Sequence, residues 1–184
     1  MKIRRFFRPE ILLFVTLTLW LSTGRVVAQE QEEEESPEVT QYRDDYERYQ
    51  KISAIKDPMK RCDALFQFLR ERRNSKLLKN AQVDYLRILE SLHKEKNYPA
   101  ITPRAERFIK VFPRVGETYY LYGFALKEGD KPEEAMNALA KCQLLRVPAS
   151  DKAKALMEYI YKGQHKGSLV GLDKIIKQAR AELN

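Results

Sequence analysis

Tyr119-Tyr120-Leu121-Tyr122-Gly123-Phe124-Ala125-Leu126, then Gly129-Asp130, then Ala135-Met136-Asn137-Ala138-Leu139-Ala140-Lys141-Cys142, then Pro148, is the stretch whose reading decides the fold. Apolar residues recur in it at helical intervals. Gly129-Asp130-Lys131-Pro132 breaks the pattern in the middle. The stretch therefore reads as two helices joined by a short turn.

The same period runs outward in both directions. Cys62, Leu65, Phe66 and Leu69 form one apolar run, and Val83, Leu86 and Leu89, interleaved with Tyr85, Ile88 and Leu92, form a second. Alternating strand patterns are nearly absent. Breakers fall at Asp57-Pro58, Asn74-Ser75, Asn97-Tyr98-Pro99, Pro113, Gly129 to Pro132, Pro148, and Gly163 to Gly167. They cut the body into helix-length segments. Asp57 before Pro58 and Asp130 before Pro132 offer a capping oxygen followed by a first-turn proline. Ser150-Asp151 is placed to cap the next helix. The expected class is all-α.

The hairpin at Tyr119–Pro148 resembles the tetratricopeptide repeat (TPR). Tyr119 stands in the aromatic slot, and Tyr122-Gly123 fill the next pair. Ala135 is the small residue, Leu139 the bulky one, Cys142 replaces a usual alanine, and Pro148 falls one residue late. A looser unit precedes it: Tyr85, Ile88, Leu89, Leu92, Ile101, Ala105, Phe108 and Pro113. A weak one comes before that: Tyr46, Tyr49, Gln50, Cys62, Phe66 and Leu69. A fourth pair follows: Ala153, Leu156, Met157, Ile160, Leu172, Ile176 and Ala179. Cys62, Ile101, Ala135 and Leu172 step close to the ~34-residue period of the family. The resemblance implies a TPR-like right-handed stack of about four helical hairpins, an α-solenoid. An irregular helical bundle is the alternative. In such a stack each amphipathic hairpin buries its apolar face only against its neighbours. Small residues such as Gly123 and Ala135 are expected where helices cross closely. Ser168 to Asn184, apolar on one face and charged on the other, suits a terminal cap.

The N-terminus has a different character. Lys2, Arg4, Arg5 and Arg8 precede an apolar run from Ile11 to Ser22, and Val26-Val27-Ala28 follows. This is the layout of a secretory signal peptide over residues 1–28. A retained inner-membrane anchor through residues 11–24 is the second option, although the run is shorter than the ~20 residues that span a bilayer. Residues 29–48 then carry nine acidic residues, Glu32 to Glu35 among them, against Arg43 and Arg48. Residues 29–40 read as an acidic disordered linker, a tether or a solvated spacer. The repeat domain is expected over 41–184.

The net charge of the 184-residue chain is +8, which first suggests nucleic acid or a membrane surface as partner. The placement of the charges weakens that suggestion. Five of the basic residues lie in the first 28, while residues 49–184 hold 27 basic and 16 acidic residues. No nucleic-acid partner is expected.

The chemistry of a catalyst is also missing. No phosphate-binding, nucleophile-elbow or zinc-protease motif occurs. Gly163-Gln164-His165-Lys166-Gly167 has no preceding strand and reads as a widened helix–helix turn. His93 and His165 lack a ligand partner at helical spacing and read as surface histidines. Cys62 and Cys142 sit two units apart in the implied register, at least about 16 Å, beyond the ~7 Å a disulfide allows. Both are expected to be buried and unpaired. No enzyme activity, metal or cofactor is expected.

The resemblance implies a concave groove lined by the first helix of each pair. Carried over by register, the groove residues are Lys51; Leu86, Glu90, His93 and Lys94; Glu117, Tyr120, Phe124 and Lys127; and Lys154, Glu158 and Tyr161. Tyr120 and Phe124, four apart, share one helix face. The implied function is a non-enzymatic scaffold or adaptor of the bacterial cell envelope, exported or periplasmic, with a protein or peptide in the groove. The alternative is a binder of an anionic envelope polymer or lipid, peripheral to a membrane, through Arg70, Arg72, Arg73, Lys76 and Lys79.

Overall fold

The computed structural model describes residues 36–184. The signal-like segment and most of the acidic linker, residues 1–35, lie outside the described residues. Among the described residues the secondary structure is entirely helical. The elements are α1 (Pro37–Ser53), α2 (Pro58–Glu71), α3 (Leu78–Lys94), α4 (Tyr98–Val111), α5 (Gly116–Glu128), α6 (Pro132–Leu144), α7 (Ser150–Gln164) and α8 (Leu172–Leu183). Pro37 to Thr40, read from sequence as linker, form the first turn of α1. Among the described residues no helix is long and apolar enough to cross a membrane.

The helices pack mainly on neighbours in chain order. From α1 to α7 each meets the next; α3 also meets α5, α5 meets α7, and α6 meets α8. Two apolar clusters result. The first draws Cys62, Leu65, Phe68, Tyr85, Leu89, Ile101 and Phe108 from α2 to α4, and Leu121 and Ala125 from α5. The second draws Tyr119 and Leu126 from α5, then Leu139, Cys142, Met157, Leu172 and Ala179. Helix α5 is apolar around most of its circumference because it serves both clusters. Cys62 and Cys142 are buried, unpaired, and in different clusters.

Polar contacts fix the first cluster. Tyr85 stacks on Phe108 with ring centroids 4.7 Å apart. Its hydroxyl donates to the Arg104 carbonyl at 2.9 Å. The guanidinium groups of Arg104 and Arg107 both reach Asp63, which joins α4 to α2. The Tyr49 hydroxyl donates to Asp84, which joins α1 to α3.

The helix ends explain several breakers and correct others. Asp57 caps α2, its carboxylate accepting the Met59 and Lys60 amides at 2.8 and 3.0 Å. Those bonds, led by the Lys60 amide, hold its carboxyl below the usual range. Asp130 does not cap α6. It takes a left-handed conformation, φ 57°, and closes the end of α5 instead. Ser150 does not cap α7 either: it begins that helix, and its Oγ donates to the Cys142 carbonyl at 3.1 Å. Both polar residues are used by the helix before them. Gly163 is no break, since α7 continues through it to Gln164.

One closure recurs. Lys96, Asp130 and Lys166 follow α3, α5 and α7, each with positive φ. The amide after each returns to a carbonyl five residues back: Asn97 to Leu92, Lys131 to Leu126, Gly167 to Lys162, all at 2.8–2.9 Å. This is the left-handed end closure that glycine makes without steric cost.

Candidate functional site

The end of α3, the start of α4 and the middle of α5 bring four aromatic rings together. His93 stands edge-on to Phe124, with centroids 4.5 Å apart and planes at 86°. Tyr98 and Tyr120 flank it at 6.0 and 6.3 Å. Tyr98 and Phe124 lie 5.7 Å apart, and Tyr120 and Phe124 lie 6.4 Å apart. The last pair arises directly from the four-residue spacing on α5.

Two of the rings, His93 and Tyr120, border a cavity of about 320 Å³. Its walls are Glu90, His93 and Lys94 of α3, Glu117, Tyr120 and Leu121 of α5, Pro148 and Ala149 of the following connection, and Lys152 of α7. The volume is within the range of ligand sites. His93 is half-buried in the centre of the cluster, not on open surface as its sequence context suggested. Its buried Nδ1 makes no hydrogen bond. Burial lowers its pKa, and the nearby Glu128 carboxylate opposes that shift. Burial likewise raises the Tyr120 hydroxyl.

The charged walls are notable for what they do not contact. Glu90, Lys94, Glu117 and Lys152 have no opposite charge within 4.0 Å among the described residues. Elsewhere on the surface pairing is common: Lys110–Glu106 at 2.7 Å, Lys127–Glu128 at 2.7 Å, Lys131–Glu134 at 3.2 Å.

The other residues expected in the groove fall in different places. Leu86 is part-buried on α3, and Lys51 is exposed near the end of α1, a helix that packs on α2. Lys127 pairs with Glu128, and Lys154 lies 4.0 Å from Glu158 on α7. Tyr161 is in the core. It belongs to the buried stripe Ala153, Met157, Ile160, Tyr161, its hydroxyl donates to the Val170 carbonyl at 2.7 Å, and its ring stacks on His165. Tyr161 lies only about 20° around the helix from Lys154, at the edge of the apolar stripe, and the Val170 carbonyl and the His165 ring take its side chain inward. Tyr159, which the sequence reading passed over, is the ring that α7 leaves exposed, at 69%. Tyr98 was also missed, because it was read only as part of a breaker. Its place directly before Pro99, at a helix start, was the available signal.

A larger cavity, about 680 Å³, opens among α5, α6, α7 and α8. Several of its polar groups are used within the chain. Glu182 accepts from Lys141 at 2.6 Å, Gln178 at 2.9 Å and Asn137 at 3.3 Å, and Lys141 lies over the Tyr119 ring. This network fastens α8 to α6. The basic patch of the α2–α3 turn is partly neutralised too, since Arg72 lies 3.4 Å from the buried Asp45 and Lys76 lies 4.0 Å from Glu38. Among the described residues no group of three or more His, Cys, Asp or Glu is arranged to hold a metal ion.

No protein-family model, curated protein or solved structure matches this chain.

Proposed function

We propose that this chain is a non-enzymatic adaptor that binds a peptide segment of a partner protein between α3, α5 and α7. The observation that carries the reading is the ring cluster His93, Tyr98, Tyr120 and Phe124 beside a side-chain-sized cavity. Aromatic side chains in such pockets are the usual anchors of protein interfaces. The larger cavity is the weaker candidate, because Glu134, Lys141 and Glu182 among its charged groups already have partners and Glu182 fastens α8 to α6.

We further propose that the eight helices form a TPR-like stack of four hairpins. Three observations support this. The helices meet mainly in chain order. The left-handed closures at Lys96, Asp130 and Lys166 recur close to the ~34-residue repeat period. Gly123 lies hard against Leu139 and the Ala135 carbonyl, as a small residue does at a close crossing. Placement in the bacterial cell envelope rests on the sequence of residues 1–28, with its basic start and apolar run.

The test is affinity capture from envelope extract with the wild-type domain and with Tyr120→Ala and Phe124→Ala. The reading expects one protein retained by wild type, retained at moderate salt, and lost with both variants. Retention of only anionic polymer or lipid, released by salt and indifferent to both substitutions, overturns it.

A further inference from the structure

We infer that the segment held in this groove is ampholytic: one apolar anchor side chain flanked on the same segment by an acidic and a basic residue. This rests on the adaptor reading above and specifies what the groove recognises.

The argument begins with Glu90 and Lys94. Glutamate four residues before lysine is the favoured order for an ion pair on one helix. Lys110 closes such a pair with Glu106 at 2.7 Å, and Lys177 closes one with Asp173 at 3.3 Å, both with the acid four residues before the base. Glu90 and Lys94 form none, although both border the cavity. The other two helices of the cavity add one charge each. Glu117 stands in the first turn of α5 and Lys152 in the first turn of α7, again without an ion-pair partner among the described residues. Two acids and two bases from three helices therefore stand without ion pairs among the described residues on the walls of one cavity, together with Tyr120, His93 and Leu121.

This pattern selects by sign. A purely acidic segment meets Glu90 and Glu117, and a purely basic one meets Lys94 and Lys152. Like charges brought together at an interface disfavour the wrong partner. A segment bearing both signs can answer all four walls without leaving a repelled charge. The apolar anchor follows from the ring lining, and its size from a cavity of about 320 Å³. The same pattern argues against a free carboxylate or a phosphate chain as the ligand, because two of the four walls repel it.

The test uses the domain and three synthetic peptides that share a central leucine. One has glutamate and lysine flanks, one only glutamate, one only lysine. Fluorescence anisotropy reads the binding. The mixed peptide is expected to bind at least ~10-fold more tightly than either other. Glu117→Lys is expected to move the preference toward the acidic peptide, and Lys152→Glu toward the basic one. Glu117→Gln, which adds no charge, is expected to reduce the mixed peptide's advantage without reversing it. Both sites are at least partly open to solvent, so the variants test charge and not packing. Equal binding of all three peptides, abolished by Tyr120→Ala, sinks the ampholyte inference and leaves the groove standing. Binding of all three that ignores Tyr120→Ala, or no binding of any, sinks both.

Discussion

Gly123 and Leu139 face each other so closely that a Cβ added to the glycine would lie 2.7 Å from the leucine Cγ and 3.1 Å from the Ala135 carbonyl oxygen. Leu139 and Ala135 are both fully buried and have nowhere to retreat. Gly123→Ala is therefore expected to cost about 1–3 kcal/mol by overpacking. Gly123→Leu and Ala135→Trp are expected to unfold the α5–α6 pair. Thermal denaturation followed by circular dichroism checks this, and unchanged midpoints for all three variants would refute the contact.

The left-handed closures carry a cost where a side chain occupies them. Lys96 and Asp130 hold φ of 58° and 57°. Lys96→Gly is expected to stabilise the chain by up to about 1 kcal/mol, since the penalty for a side chain in that region is about 1–2 kcal/mol and part of the gain is returned as unfolded-state freedom. Asp130→Gly is expected to gain less, because aspartate tolerates the conformation better. Urea midpoints of the two variants are the measurement.

Tyr49 fastens α1 to α3 through Asp84. Burial first, then the bond to Asp84, pushes its hydroxyl up to about 12. The folded state thus holds a proton that the unfolded chain releases near 10. The associated stability is complete below about pH 10 and is lost as pH rises from there toward 12. Tyr49→Phe is expected to lose about 0.5–1 kcal/mol at neutral pH and to flatten that alkaline decline. Ultraviolet titration of tyrosinate, with melting curves at several alkaline pH values, would test both parts.

Burial also pushes the Cys142 thiol up to about 12, and raises that of Cys62. A buried thiol is a poor nucleophile because the thiolate is the reactive form. Neither cysteine is expected to react with an alkylating reagent at neutral pH in the folded chain, and both are expected to react after denaturation. Mass measurement without reductant should find two free thiols per chain. An internal disulfide would contradict the separation of the two clusters.

Helix positions were readable in the sequence because the apolar period and the prolines are local signals. Gly123, Ala135 and Leu139 could be singled out together, since small and bulky residues alternate where two helices cross. The site was only half legible. Tyr120 and Phe124 follow from spacing on one helix, whereas Tyr98 joins them only after the α3–α4 turn folds back. Tyr161 was misplaced because it stands at the edge between the Lys154–Glu158 face and the apolar stripe of Ala153, Met157 and Ile160, and the connection to α8 that holds its hydroxyl is not a local signal. The unpaired state of Glu90 and Lys94 was invisible, since their spacing on one helix predicts a bond that the folded chain does not make. Asp130 and Ser150 were misread for a related reason: a polar residue between two helices can serve either, and only the fold decides which.

Helix α5 gives Leu121 and Ala125 to one apolar cluster, Tyr119 and Leu126 to the other, and leans Tyr120 and Tyr122 on both. It works as a splice between two halves. Amide exchange should be slowest there, and α1, attached at one end of the series, should open without disturbing α8. A ligand gripping Tyr120 clamps the splice itself, so its occupancy would be registered as slowed exchange on both sides, in residues as remote from the groove as Phe68 and Ala179.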